Sequence, residues 1–227
     1  MSFSLLISTL KVLFMQTELL DYFDENLQYL GTASRSEIHQ KGLWHKTFHC
    51  WIIGRENEEN YLLFQRRSLE KQLHPNKLDI TAAGHLLAGE TEKEGARELS
   101  EELGIHFDFD DLLFLGIRKD ISRVNGEINC EFCYTYFLER NLPLSAYQLQ
   151  TAEVAGLYKI KVQDCLDLFL GKLAQVNALT SNNQNPDNQM LTQIAKTEIL
   201  AHPDAYYLQI FDLVNQYFDG KKPIRLT

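Results

Sequence analysis

The chain has 227 residues, 44% of them hydrophobic and 23% charged, the balance of a globular protein whose core needs no disulfide or structural metal. Its 31 acidic and 22 basic residues give a net charge of −9 with no Lys/Arg cluster. That excludes a nucleic-acid polymer as partner, since duplex binding needs a positive face to displace counterions. An acidic protein that handles phosphates usually offsets the repulsion with a divalent cation.

Taken in chain order, residues 1–14 are apolar but broken by Lys11, with no basic start and no small-residue cleavage site, and are too short to span a bilayer. They read as an extension, with Met15 available as a second start. Leu19–Leu30 predicts a hairpin around the polar DEN turn, and Ser34–Gly42 a loop or short helix. Thr47–Gly54 and Asn60–Arg66 read as paired strands, and Leu78–Ala83 as a short apolar stretch ended by Gly84. A helix is predicted from an N-cap at Thr91, with Glu94 completing a capping box, to Gly104. Leu112–Lys119, Asn129–Leu138 and Glu153–Ile160 are further strands. Val162–Ala178 reads as an amphipathic helix, Ser181–Gln189 as a polar loop, and Met190–Ala201 and Pro203–Phe218 as closing helices.

Cys50, Cys130, Cys133 and Cys165 form no zinc pattern; the near pair, Cys130 and Cys133, falls on opposite faces of its strand. They read as reduced thiols of a cytoplasmic protein.

The informative segment is Gly84–Ile105, GHLLAGETEKEGARELSEELGI. Glu98, Glu101 and Glu102 stand at i, i+3 and i+4 of the predicted helix, opposite an Ala96/Leu99/Leu103 stripe. Such carboxylates repel one another unless a cation relieves them, and oxygen ligands suit magnesium. A bare E-x-x-E-E is also an ordinary solvated helix face. The surrounding residues, Gly84, Gly89-Glu90, Arg97-Glu98-Leu99, Glu101-Glu102 and Gly104-Ile105, resemble the Nudix box, G-x5-E-x7-R-E-U-x-E-E-x-G-U, where U is a bulky aliphatic. One spacing departs: six residues, not seven, separate Glu90 from Arg97. The flanks SEIHQKGLWHKTFHCWI, LLFQRRS and HPNKLDITAAGH resemble the isopentenyl-diphosphate isomerase branch of that family, over roughly residues 15–160.

The resemblance implies an α/β fold, a Nudix α/β/α sandwich around a mixed sheet. It divides the chain into an extension (1–14), a Nudix domain (15–162) and a helical C-terminal region (163–227) packed on it. It implies magnesium, or manganese in its place, held by Glu98, Glu101, Glu102 and the Gly84 carbonyl. Arg97 would steady the glutamates and Glu90 take an outer part. The general base is Glu98 or, on its strand, Glu131, which otherwise reads as a sheet-surface carboxylate. Arg66 and Arg67 read as phosphate contacts or strand-end charges. Trp44, Tyr61 and Phe64 read as a base pocket or core. His45 reads as a ligand to substrate or metal and His39 as a weaker candidate, while His85, directly after Gly84, reads as a cap to the loop. The implied reaction is water attack on a diphosphate linkage in a small nucleotide-like substrate, by a protein that can form a homodimer. The isomerase reaction needs a cysteine immediately before Gly84, where this chain has Ala83. A non-cutting nucleotide sensor would be expected to lose box carboxylates, which are all present.

Overall fold

The computed structural model describes residues 18–124, 126–182, 185–221 and 225–226. The extension read over residues 1–14, and Met15, lie outside them. The described chain forms two compact units. One takes the chain up to Phe48, Gly84–Ala96 and Ile117–Tyr134; the other takes His49–Ala83, Arg97–Gly116 and the chain from Thr135 on.

In the first unit, β1 (Leu19–Phe23) and β2 (Tyr29–Ser34) pair antiparallel as predicted. The Asp24 carboxylate builds their turn by accepting the N–H groups of Asn26 and Gln28 at 2.8 and 2.9 Å. Ser34 then caps α1 (Arg35–Lys41) through the Glu37 N–H, and Gly42 ends it in the left-handed conformation, φ 65°. The start of β3 (Trp44–Glu56) lies antiparallel to β1. Leu20, Ala33 and Ile38 form this unit's small core.

In the second unit the strand order is β11–β10–β9–β4–β3, with β5 also on β4. Here β4 is Glu59–Arg67, β5 Leu78–Asp79, β9 Val154–Lys161, β10 Gln175–Asn182 and β11 Asn185–Ala195. The described registers are antiparallel. Two helices, α4 (Val162–Phe169) and α5 (Asp204–Phe218), complete a core in which Trp51, Phe64, Ile160, Phe169, Tyr207 and Phe211 are buried. The Trp51 indole N–H donates to the Tyr206 hydroxyl at 2.9 Å, satisfying the one polar atom of that ring. The remaining elements are β6 (Ala82–His85), α2 (Glu92–Gly95), α3 (Arg97–Leu103) and the paired strands β7 (Leu112–Val124) and β8 (Glu127–Glu139).

Three expectations are corrected. The helix expected over Val162–Ala178 stops at Phe169, because Gly171 turns left-handed at φ 73°. The chain then runs as β10, with Val176 and Ala178 buried at period two. The helix expected over Met190–Ala201 is β11 followed by a single 3-10 turn, Lys196–Glu198. The C-terminal region is therefore a β-hairpin plus two helices, not helical throughout. Ile194 of β11 and Val214 of α5 share one core with β3 and β4. Thirdly, the helix expected from Thr91 to Gly104 is two pieces. Thr91 and Glu94 do form the capping box, but Ala96 (φ −63°, ψ −10°) turns out of the helix directly after Gly95, a poor helix former. Gly104 ends α3 at φ 64°; a Cβ there would sit 2.5 Å from the Gln148 Cβ and 2.8 Å from its backbone oxygen. No described helix is long and apolar enough to cross a membrane. The four cysteines are buried thiols outside any disulfide.

Candidate functional site

Two clusters of candidate residues stand out, one in each unit. In the second unit α3 is pinned by its apolar stripe: Leu99 and Leu103 are fully buried. The acidic residues of the same helix do not form one uniform exposed row. Glu101 keeps 54% of its side chain exposed, Glu98 14%, and Glu102 is buried at 3%. Arg97 Nη1 donates to Glu98 Oε1 at 2.5 Å and to Glu101 Oε2 at 3.0 Å, so one guanidinium bridges two carboxylates.

Glu102 Oε2 accepts from the Gln65 side-chain amide of β4 at 3.2 Å and from the Ala83 N–H at 3.4 Å. Burial, then the nearby charge of Glu98, push the Glu102 carboxyl up to about 8. Burial also raises Glu98, against the pull of Arg97. Lys71, in contact with Glu153, contributes a partly balancing positive charge to both carboxyls from outside the helix. Gln65 is itself buried, and its Oε1 has no hydrogen-bond partner. An unsatisfied buried oxygen costs about 1–3 kcal/mol. Two carboxylates one turn apart, short of positive charge, beside an orphaned amide oxygen, fit a hard divalent cation.

The arginines assigned to phosphate are engaged within the protein. Arg67 donates from Nη1 to Asp79 at 2.9 Å and from Nε and Nη2 to the Leu73 carbonyl. Arg66 lies over the Tyr158 ring, 4.5 Å from its centroid, and bonds the Asn76 carbonyl and Glu198. Of the aromatic residues considered for a base pocket, Phe64 is core, Tyr61 is partly exposed under Lys159, and Trp44 packs against Phe132 with Lys119 over both rings.

In the first unit, Gly84 is half-buried in β6, and Glu90 Oε2 accepts the Leu87 N–H at 2.7 Å, bracing its own loop. Glu131 is buried on β8, so of its two readings the exposed sheet-surface carboxylate does not hold. It accepts from Asn129 at 2.8 Å, and the His45 and His85 Nε2 atoms lie 3.9 and 4.0 Å from its Oε1. His39 of α1, His45 of β3 and His85 of β6 bring their rings within 5.1–5.3 Å of one another. Each offers one nitrogen, and these nitrogens lie within 4.8 Å of one another. His45 Nδ1 is 3.0 Å from the Leu43 carbonyl, which places its proton there and leaves Nε2 a free lone pair. Nε2 of His39 and of His45 have no hydrogen-bond partner. Burial pushes both imidazoles down to about 4, so both are neutral at pH 7, the form that ligates metal. Neutral imidazoles around a carboxylate suit zinc or manganese.

The metal-free protein is accordingly expected to weaken in acid. The unfolded chain takes up the His45 proton near the ordinary 6.5, whereas the folded chain resists until about 4. Stability is thus complete above pH 6.5 and falls across that window, on the order of 3 kcal/mol from His45 alone. Urea midpoints in chelator at pH 7.5, 5.5 and 4.5 measure it. A His45→Asn protein with the same pH slope as wild type would refute the assignment.

Helical spacing singled out the α3 carboxylates, and the family resemblance singled out Arg97, His45 and Glu131 as candidates. Both missed Gln65 and Lys71, and neither grouped His39 and His85 with His45. The one signal for Gln65 is an amide inside the apolar run YLLFQ.

Comparison with known proteins gives consistent matches. The NUDIX domain family profile matches residues 43–171. An uncharacterized Nudix hydrolase of Clostridium acetobutylicum is 36% identical over 195 residues, 85% of this chain and 95% of that protein. Nudix hydrolase 3 of Arabidopsis thaliana is 32% identical over 164 residues, 70% of this chain but only 21% of that longer protein. Among solved structures, DR0079 of Deinococcus radiodurans aligns with a TM-score of 0.50 at 21% identity. The alignment covers 68% of this chain and 90% of that one, a likeness of fold.

Proposed function

Because this chain belongs to the NUDIX family and is a Nudix hydrolase, we propose that it uses magnesium to hydrolyse a diphosphate linkage in a small nucleotide-like molecule. The observation that carries the reading is the Glu98–Glu102 pair, in which a buried carboxylate is held in place beside a second with too little positive charge to balance both. Magnesium supplies that charge, offsets the diphosphate and activates a water. Glu98 and Glu102 are the proposed ligands, with Glu101 at their exposed edge; Arg97 sets the orientation of Glu98 and Glu101. The roles proposed for Gly84, Glu90 and Glu131 rest on their positions in the sequence, and Glu98 and Glu131 are the proposed choices for general base. We also propose that His39, His45 and His85 take an imidazole-preferring ion, on the strength of the unpartnered Nε2 atoms of His39 and His45 and of the three ring nitrogens lying within 4.8 Å of one another.

The test is a phosphorus NMR time course with magnesium and a panel of nucleoside diphosphates, nucleotide sugars, dinucleotides and isopentenyl diphosphate. Loss of a diphosphate signal is expected, slowed about 100-fold or more in Glu98→Gln. An unchanged panel, or cleavage that persists in Glu98→Gln, rejects the reading. Isomerised isopentenyl diphosphate with its diphosphate intact would replace it with the isomerase reaction that Ala83 disfavours.

A further inference from the structure

Gln65 is an amide in a strand whose neighbours are aliphatic, aromatic and arginine side chains. Its position on β4 is fixed on both sides, opposite Asp79 of β5 and Leu157 of β9, so the side chain has little room to wander. The orientation of the amide is set by chemistry. Nε2 faces a Glu102 oxygen at 3.2 Å; with Glu102 ionised, as a metal ligand must be, turning the amide over would set two acceptors against each other. Nε2 and the Ala83 N–H both donate to the same carboxylate oxygen, Oε2. Those two bonds hold Oε2 in place and leave Oε1 to other partners. The Gln65 oxygen sits on the same carbon as the donating nitrogen, hence beside the carboxylate. It is buried and has no partner. Buried polar atoms are nearly always satisfied, and an exception calls for an explanation, of which a bound water or ion is one.

We infer that Gln65 is a positioning residue for the divalent-cation site. It aims the Glu102 carboxylate with its amide N–H and offers its own carbonyl oxygen as acceptor to a water in the cation's shell. The inference rests on the reading of Glu98 and Glu102 as metal ligands. A side chain that only packed the strand would be replaceable by one of equal length. A positioning side chain would not be, because both its donor and its acceptor are used. Residues that orient ligands in this way typically change metal affinity by about 10–100-fold when removed.

The experiment is manganese titration of the full-length protein followed by electron paramagnetic resonance, on wild type, Glu102→Gln, Gln65→Met and Gln65→Asn. Circular dichroism establishes that each variant is folded. The relevant binding phase is the one that Glu102→Gln removes. Both Gln65 variants are expected to weaken that phase about tenfold. At saturating manganese they should lower kcat for whichever diphosphate the panel identifies and leave its KM within twofold. Methionine keeps the length and loses the polarity; asparagine keeps the polarity and loses the reach. Should one fail to fold, the other decides. A folded Gln65 variant with wild-type affinity in that phase overturns the inference. If Glu102→Gln removes no phase at all, the metal reading of Glu102 itself has failed, and the two failures are told apart.

Discussion

Glu102→Gln is expected to lower magnesium-dependent hydrolysis about 100–1,000-fold, the scale seen when a preorganised charge-stabilising group is removed. The same change should make the metal-free protein more stable at alkaline pH. Both effects come from one side chain. Burial and the neighbouring Glu98 charge raise the Glu102 carboxyl to about 8, against an ordinary 4.5. A carboxyl raised in the fold contributes its stability fully below pH 4.5 and loses it as pH climbs through 8. Over that window the wild-type protein without metal gives up on the order of 4 kcal/mol. Glutamine does not titrate, and it can still accept the Gln65 and Ala83 hydrogen bonds through its carbonyl oxygen. Urea unfolding in EDTA should therefore show the variant gaining on wild type between pH 5 and pH 8.5, and saturating magnesium should narrow the gap by stabilising wild type alone. A variant that is the less stable protein at pH 8.5 in EDTA would show that Glu102 is not the source of the strain. Full retained activity would remove it from the catalytic site.

Asp79→Ala is expected to destabilise the protein by about 3–5 kcal/mol, the cost of leaving a largely buried charge without its partner. Asp79 is 4% exposed. Burial works against its charge, yet His202, 3.6 Å away, and Arg67, 2.9 Å away, outweigh it and hold the carboxyl far below the usual range. The Ile80 N–H adds a third contact at 2.8 Å. This carboxylate therefore gathers β4, β5 and the segment leading into α5. Its loss leaves Arg67, only 18% exposed, facing an apolar methyl. The expected fall in melting temperature is about 10 °C for a chain of this size. Removing both charges together, as Arg67→Met with Asp79→Leu, should recover much of it, because neither partner is then stranded. A single-site loss below 1 kcal/mol would mean that the pair is solvated and energetically idle. Arg67 would then be released for the phosphate contact that its sequence position suggests.

The local rules of the chain were legible where a single short segment carries the whole signal. The capping box at Thr91–Glu94, the stop at Gly104, the β1–β2 hairpin and α5 after Pro203 all follow from adjacent residues. The hairpin of β10 and β11 was not, because its apolar positions are sparse: Val176, Ala178 and Ile194 face the core, while Met190 and Leu191 are exposed. Periodicity read through Gly171 favoured a helix that the glycine ends. At the site, helical spacing gave the angular order of Glu98, Glu101 and Glu102. It did not say which one a neighbouring strand would cover. Burial of Glu102 is decided by Gln65 and Ala83, 37 and 19 residues away in the chain. The histidine cluster was hidden for the same reason, its members coming from α1, β3 and β6.

The break at Ala96 bears on how this protein's relatives would be recognised. Arg97, Glu98, Glu101 and Glu102 all ride on one continuous helix, α3, whereas α2 before it is a separate element opened by its own capping box. The residue that the chain lacks between Glu90 and Arg97 is thus taken up at a joint. Insertions or deletions of one residue there leave the internal spacing of the carboxylates intact, while the same change between Glu98 and Glu102 would rotate them by about 100° relative to one another. Length variation across descendants of this sequence should therefore collect just before Arg97. A search pattern that demands a fixed count across that joint will pass over working members of the lineage.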